Sequence, residues 1–187
     1  MKIRIEHDDD RQETPRDWDN LGVMVCFHRN YNLGDKHDYS GSDDFDDILK
    51  EEGAVVVLPL YLYDHGGITM SVGEFSCQWD SGQVGFIFAR REDILKEFSR
   101  VRITKKLKAK VAKILVGEVE TYDQHLTGDV WGYVIEDDDG EHLDSCWGFY
   151  GREYCEKEAE DMVKYMEQKE KDDAWQRKGA ARDAVFV

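Results

Sequence analysis

The chain has 187 residues, a formal net charge of −16 at pH 7 and 41% hydrophobic residues. A chain of this length can bury a sizeable core in one domain, and its composition is not that of a disordered protein. The acidic excess argues against unassisted binding to nucleic-acid phosphates or an anionic membrane surface, and it favours solubility, cation binding or docking on a basic protein surface.

The first fifty residues predict two short strands and one helix. Residues 1–20 are expected to form a charged arm that begins with a short edge strand over 1–5. Apolar residues over 21–28 predict a second strand, and residues 29–42 lack a period and are expected to form a loop. Ser42 is the predicted N-cap of a helix over 43–52, which Gly53 ends.

The central stretch over 53–89 is the part of the chain around which we expect the rest to be organised. Residues 54–63 are β-branched and aromatic, which is typical of a strand buried on both faces. Pro59 cannot donate a backbone hydrogen bond, so it predicts a bulge or a sheet edge. Residues 64–67 and 80–82 predict turns, with strands over 68–72 and 84–89 after them.

The second half predicts helices and one hairpin. Residues 90–100 fit a short helix, and Thr104 is the predicted cap of a long helix through about residue 122. Gly117 within it suggests a close contact between helix and sheet. Strands over 129–135 and 142–150 flank an Asp-Gly turn, a typical hairpin signal. A last helix is predicted over 152–171, with a frayed tail over 172–187.

These elements predict an α+β fold, in which helices pack on a central, mostly antiparallel β-sheet within a single domain over 1–187. The sequence has no apolar run of transmembrane length and no signal-peptide pattern, so we expect a cytoplasmic protein. The four cysteines show no CxxC spacing and are expected to be free thiols. We expect no cofactor.

Four segments of the chain resemble an uncharacterised protein family encoded by bacteriophages, plasmids and integrative elements. The segments are PRDWDNLGVMVCFHRNYNLGD, LPLYLYDHGGITM, CQWDSGQVGFIF and DSCWGFYG, and the match spans about residues 15–154. The resemblance carries over no activity, cofactor or catalytic residue. It implies a small accessory protein of a mobile genetic element, a class in which many acidic proteins inhibit host defence or bind host machinery.

The polar residues at the predicted strand ends form one candidate site, made of Asp64, His65, Cys77 and Asp80. Cys77 and His65 are the types of a nucleophile and its base, which Asp64 or Asp80 would orient. Such a site would make the protein a small enzyme or a ligand-binding domain. The simpler interpretation is that the two aspartates accept backbone hydrogen bonds of turns.

A metal site would require distant ligands to converge, namely His28, His37, His65 and Cys77, and the spacing does not support one. The acidic runs lack the twelve-residue calcium-loop pattern, so we expect no metal. Trp79, Trp131 and Trp147 are expected to pack in the core; if exposed, they would anchor a protein partner.

The strongest functional signal is electrostatic. Region 35–52 carries eight carboxylates against two lysines, and region 129–144 carries seven without a lysine or arginine. Carboxylates on a rigid surface can imitate a phosphate backbone, although acidity also simply promotes solubility. The candidate partner-binding residues are Asp43, Asp44, Asp46, Asp47, Asp137, Asp138, Asp139 and Glu141.

These patterns favour a binding protein over an enzyme. The expected partner is a basic protein surface, in a nucleic-acid-binding host or defence complex that the protein inhibits as a nucleic-acid mimic or in an anti-CRISPR-like manner. We expect no direct contact with nucleic acid and no membrane contact. A basic patch from Lys105 to Lys113 departs from a uniformly DNA-like surface, and a structural or assembly role in the element is a third possibility.

Overall fold

The computed structural model describes residues 1–9, 13–41, 45–77 and 79–183. It has an α+β fold with four helices and seven strands, and every strand pairing is antiparallel, as predicted. In chain order the elements are β1 (Lys2–His7), β2 (Val23–Cys26), α1 (Phe45–Glu51), β3 (Ala54–Asp64), β4 (Ile68–Ser71), β5 (Ser81–Arg90), α2 (Arg91–Glu97), α3 (Lys105–Thr127), β6 (Val130–Glu136), β7 (His142–Tyr150) and α4 (Arg152–Asp183).

The chain forms two compact units, which we call the central unit (Gln12–Gly128) and the terminal unit (Met1–Arg11 with Asp129–Val187). Each unit contains its own sheet, so the strands do not form the one central sheet that the sequence suggested. The division follows the hairpin signal, because β6 pairs with β7 on one side and with β1 on the other. The expectation of a single domain stays a prediction.

The central unit is a four-stranded sheet in the order β2-β5-β3-β4. Its main core contains Met24, Leu60, Ile87 and Leu115, which are all fully buried. A second, smaller cluster contains Ile48 of α1 and Phe88. Burial of this much apolar surface is the main stabilisation of such a unit, at about 25 cal/mol per Å².

The position of Pro59 agrees with its chemistry. It lies in β3 opposite Phe86 of β5, and β4 pairs with β3 only from Tyr61 onwards. On its other side Pro59 is therefore at a sheet edge, where a missing backbone N–H leaves no partner unsatisfied. A register shift follows at Leu60 and Tyr61, which is the bulge that the proline predicted.

The start of α3 was predicted correctly from a local signal, the N-cap residue. The Thr104 side chain accepts a hydrogen bond from the Leu107 amide at 3.2 Å, the geometry of an N-cap. The apolar stripe of α3 is buried at Val111, Leu115 and Val119. The prediction that Gly117 marks a close contact between helix and sheet is wrong, because a Cβ at that position would have nothing within 4 Å.

Two predicted boundaries were wrong. Ser81 and Gly82 belong to β5 rather than to a turn, because Tyr63 pairs with Ser81 and extends the strand. The last helix continues to Asp183, past the end predicted near residue 171. The predicted cap Ser42 lies outside the described residues, and so do Asp43 and Asp44.

The terminal unit is a three-stranded sheet in the order β1-β6-β7 with α4 packed on it. β1 is an edge strand, as expected, because it pairs only with β6. The core lies between sheet and helix and includes Tyr133, Ile135, Cys155 and Ala159. No helix in the described ranges combines the length and apolarity needed to span a membrane.

Candidate binding surfaces

The four residues predicted as a site at the strand ends are close together, and we call them the turn cluster (Asp64, His65, Cys77 and Asp80). β3 and β5 pair side by side, which places the Asp64 amide 2.8 Å from the Asp80 carbonyl oxygen. His65 Nδ1 lies 3.2 Å from Asp80 Oδ2, and the Cys77 thiol donates to the same oxygen at 3.6 Å. The Tyr31 hydroxyl lies 3.5 Å from Asp64 Oδ1.

The contacts of the turn cluster differ from those of a nucleophile and its base. A catalytic thiol needs the imidazole as its hydrogen-bond partner, with the carboxylate on the far side of the ring. Here one oxygen of Asp80 accepts a hydrogen bond from the Cys77 thiol and also lies 3.2 Å from His65 Nδ1, so the thiol contacts the carboxylate rather than the imidazole. The His65 side chain is also 71% exposed. This geometry suits a hydrogen-bonded turn that presents polar groups to a ligand.

Aromatic side chains surround the turn cluster. The Tyr63 ring stacks near His65 at 6.1 Å between centroids and lies 5.7 Å from Phe75. Trp79, beside Asp80, is 96% exposed, so the expectation that it packs in the core is wrong. Burying a tryptophan is strongly favourable, which makes an exposed one a typical anchor for a partner.

The other two tryptophans lie in the terminal unit and are more enclosed. Trp131 is half-buried against the core, and its Nε1 donates to Asp129 Oδ1 at 2.6 Å. The ring of Trp147 covers Gly132 so closely that a Cβ there would lie 2.1 Å from it. Trp147 is nevertheless 45% exposed, so only Trp131 packs against the core as expected.

The acidic turn between β6 and β7 is rigid. Asp137 Oδ1 accepts hydrogen bonds from the Asp139 and Glu141 amides at 2.9 and 2.8 Å, so this carboxylate holds the turn. Gly140 has a φ of 88°, a left-handed conformation that favours glycine. Asp138, Asp139 and Glu141 are exposed, and Asp138 contacts the amino group of Met1 at 3.2 Å. We call these three carboxylates the acidic hairpin turn.

The second acidic region carries less free charge than its composition suggested. Asp46 and Asp47 are exposed in the first turn of α1, where the helix dipole favours carboxylates. Asp43 and Asp44 lie outside the described residues. Glu52 is bound by Arg90 and by the Tyr39 hydroxyl, and that hydroxyl is the largest cause of the lowered pKa of Glu52.

A buried ionic network in the central unit was missed by the sequence analysis. The Arg16 side chain is 3% exposed, and its guanidinium binds both oxygens of Asp35 at 2.7 and 2.9 Å. It also reaches Glu118 Oε2 at 3.2 Å and the Gly22 carbonyl at 2.6 Å. Arg16 belongs to a 3-10 turn, Pro15–Asp17, within the predicted charged arm, so the pattern gave no sign of burial.

The carboxylates of this network also accept hydrogen bonds from backbone amides. Glu118 accepts from the Leu21 and Gly22 amides, and Asp35 accepts from the Met24 amide at 2.8 Å. Burial lowers the pKa of Arg16, but its bonds to Asp35 and Glu118 outweigh burial and raise it. Burial raises the pKa of Glu118 despite these partners. The network therefore fixes the segment before β2 and the loop after it on α3.

One surface groove of about 740 Å³ follows the loop after β2 and includes His28 and His37. Cys26 lines it, but burial raises the pKa of this thiol to about 12, so it is not a nucleophile at neutral pH. His37 Nε2 lies 3.0 Å from the Cys26 carbonyl oxygen.

A second groove, of about 550 Å³, lies at the start of α3 and is basic. We call it the basic groove, and its lining residues are Phe98, Arg100, Val101, Arg102, Thr104, Lys106, Leu107 and Lys110. The structure thus joins part of the predicted lysine patch to two arginines of the preceding loop. Arg100 and Arg102 precede α3, so the helical spacing that defined the predicted lysine patch did not include them.

In the part of the chain that the structure describes, no group of three or more histidine, cysteine, aspartate or glutamate side chains could hold a metal ion. The four cysteines are free, and Cys26 and Cys155 are buried. No protein-family model, curated protein or solved structure matches this chain. Any functional conclusion therefore depends on the surfaces described above.

Proposed function

We propose that this chain is a non-enzymatic binding protein of a mobile genetic element, acting in the host cytoplasm. It docks through acidic surfaces onto a basic, nucleic-acid-binding host or defence protein and inhibits it, either as a nucleic-acid mimic or in an anti-CRISPR-like manner. The observation that supports this most is the acidic hairpin turn. Asp137 holds its backbone, so Asp138, Asp139 and Glu141 project from a fixed frame.

A fixed frame matters because carboxylates that are already ordered lose little entropy on binding. Strand β6 and the turn carry no lysine or arginine from Val130 through Glu141, and the amino group of Met1 pairs with Asp138 at 3.2 Å. A basic channel that evolved for phosphates would gain charge-assisted hydrogen bonds from such groups. Asp46 and Asp47 on α1 provide a second acidic surface, in the central unit.

The test is an affinity capture from host lysate with neutralised variants. We expect wild-type protein to retain one nucleic-acid enzyme or defence complex at low salt and to lose it at high salt, because screening weakens exposed charge pairs. The variant D138N/D139N/E141Q should bind that partner at least about tenfold more weakly, a loss of about 1.4 kcal/mol. The captured partner is identified by mass spectrometry and the affinity is measured with purified components.

The matched control is E167Q/E170Q/D173N on α4, which removes three exposed carboxylates elsewhere and changes the net charge equally. It should bind as wild type does. An unchanged partner set for the hairpin variant, or equal losses for both variants, would contradict the proposal.

We propose the turn cluster as the basis of a second candidate function, that of a small enzyme or ligand-binding domain. The observation that favours it is the convergence of His65 and Cys77 on one oxygen of Asp80, beside the exposed Trp79. A ligand bound there should raise the melting temperature, with a stabilisation that grows as the logarithm of the ligand concentration above its Kd. We expect that shift to vanish in H65A and C77A and to persist in H142A, which changes an exposed histidine of the other unit. A compound library that shifts none of these proteins, or all of them equally, would exclude this function.

A further inference from the structure

The basic groove is part of a cationic surface that the acidic chain does not neutralise. No aspartate or glutamate occurs from residue 98 to residue 117. Seven exposed cations lie in that stretch, and none of them forms an ion pair within the described residues. They are Arg100, Arg102, Lys105, Lys106, Lys108, Lys110 and Lys113.

The backbone fixes the two arginines beside the helix. Ser99 ends α2 with a φ of 49°, and the Arg100 amide donates to the Leu95 carbonyl at 2.9 Å, so the chain reverses there. Thr104 then caps α3, whose lysines from Lys105 to Lys113 are exposed. The loop and the first turns of α3 therefore form the two walls of one groove.

Two apolar side chains line the groove beside its cations. Phe98 is half-buried against the core, and Lys110 Nζ lies 4.6 Å from the centre of its ring. Val101 is 93% exposed. Cationic grooves with apolar and aromatic side chains are surfaces on which single-stranded nucleic acid binds, with phosphates on the cations and bases on the apolar groups.

The net charge of −16 does not exclude such a ligand. Charges more than about 8 Å away are largely screened at physiological ionic strength, so the nearest groups set the local potential. The expectation of no direct nucleic-acid contact came from the net charge alone, and the structure places four of these cations along one groove. We infer that the basic groove binds single-stranded nucleic acid through its phosphate backbone.

Other occupants fit the groove less well. A single nucleotide would use the four lining cations but leave Lys105, Lys108 and Lys113 without a role. A duplex hides its bases from Phe98 and Val101. An acidic protein segment has no bases to place against Phe98 and Val101. This inference goes beyond the proposed function and does not depend on it, because the nucleic acid binds the basic groove and not the acidic hairpin turn.

The test uses the full purified chain and a fluorescein-labelled oligothymidine of about 20 nucleotides, longer than most single-strand sites. Fluorescence anisotropy should show binding at low salt, with log K falling against log salt at a slope of about −3 for four phosphate contacts. The variant R102E/K106E should bind at least about tenfold more weakly and with a shallower slope, and R102Q/K106Q should show a smaller loss.

The matched control is K157E/K169E on α4, which reverses two exposed lysines and changes the net charge equally. It should lose little affinity. Equal losses in both charge-reversed variants, or the absence of any binding at low salt, would overturn the inference. It would also fail if unlabelled duplex of the same length or polyglutamate displaced the strand as well as unlabelled oligothymidine does.

Discussion

Replacing Arg16 with methionine is expected to lower the free energy of unfolding of the central unit by about 3–5 kcal/mol. The substitution keeps an unbranched apolar stem but leaves the carboxylates of Asp35 and Glu118 without their shared cation. Glu118 is then a poorly solvated charge, since its side chain is only 11% exposed. Urea unfolding monitored by circular dichroism measures the change.

The control for this experiment is R91M, because Arg91 is an exposed arginine at the start of α2. It should change the free energy of unfolding by less than about 0.5 kcal/mol. Adding D35N and E118Q to R16M should recover part of the loss, since the stranded charges are removed and members of one network are not additive. A loss under about 1 kcal/mol for R16M would mean that the network stabilises little.

Replacing Gly85 with alanine is expected to cost about 3 kcal/mol. Gly85 lies in β5 between Cys26 of β2 and Leu60 of β3. A Cβ there would lie 2.0 Å from the Val25 carbonyl oxygen, and a backbone atom in a paired strand cannot move aside cheaply. Thermal and urea unfolding of the purified variant measure the loss.

Gly82 provides a matched control in the same strand. A Cβ at Gly82 would have nothing within 4 Å, and its φ is not in the left-handed region. Alanine there should raise the free energy of unfolding by about 0.5 kcal/mol, because glycine in a strand loses more backbone entropy on folding. Similar effects at both positions would show that the close approach of β2 is not the reason why residue 85 must be glycine.

Elements with local signals could be predicted from the sequence. The Asp-Gly turn placed the β6–β7 hairpin, and Thr104 placed the start of α3, because a turn and a cap each depend on a few neighbouring residues. The start of β5 was wrong at Ser81, because that residue is held in the strand by its pairing with Tyr63 rather than by its own preference. Pairing between strands that are far apart in the chain produces no repeating pattern of residues in the sequence.

The candidate surfaces also differ in how far the sequence reveals them. The proximity of the turn-cluster residues could be predicted because antiparallel pairing of β3 and β5 brings their ends together, and both strands were visible as apolar runs. The Arg16 network joins three segments far apart in the chain, and no spacing rule connects Arg16 with Glu118. Trp79 was expected in the core on residue type alone, which says little about a residue at the end of a loop.

The exposure of much of the long helix α4 affects which changes of sequence the chain can tolerate. Its first half packs through Cys155 and Ala159, but every residue from Glu167 to Arg177 is exposed. This exposed stretch is therefore held by its own backbone hydrogen bonds and by side-chain hydrogen bonds within the helix, such as that of Gln168 to Asp172, and such helical turns are marginal in water. Whole turns could be gained or lost there over evolutionary time with no core to repack, so helix length is a trait that selection can adjust independently of the fold.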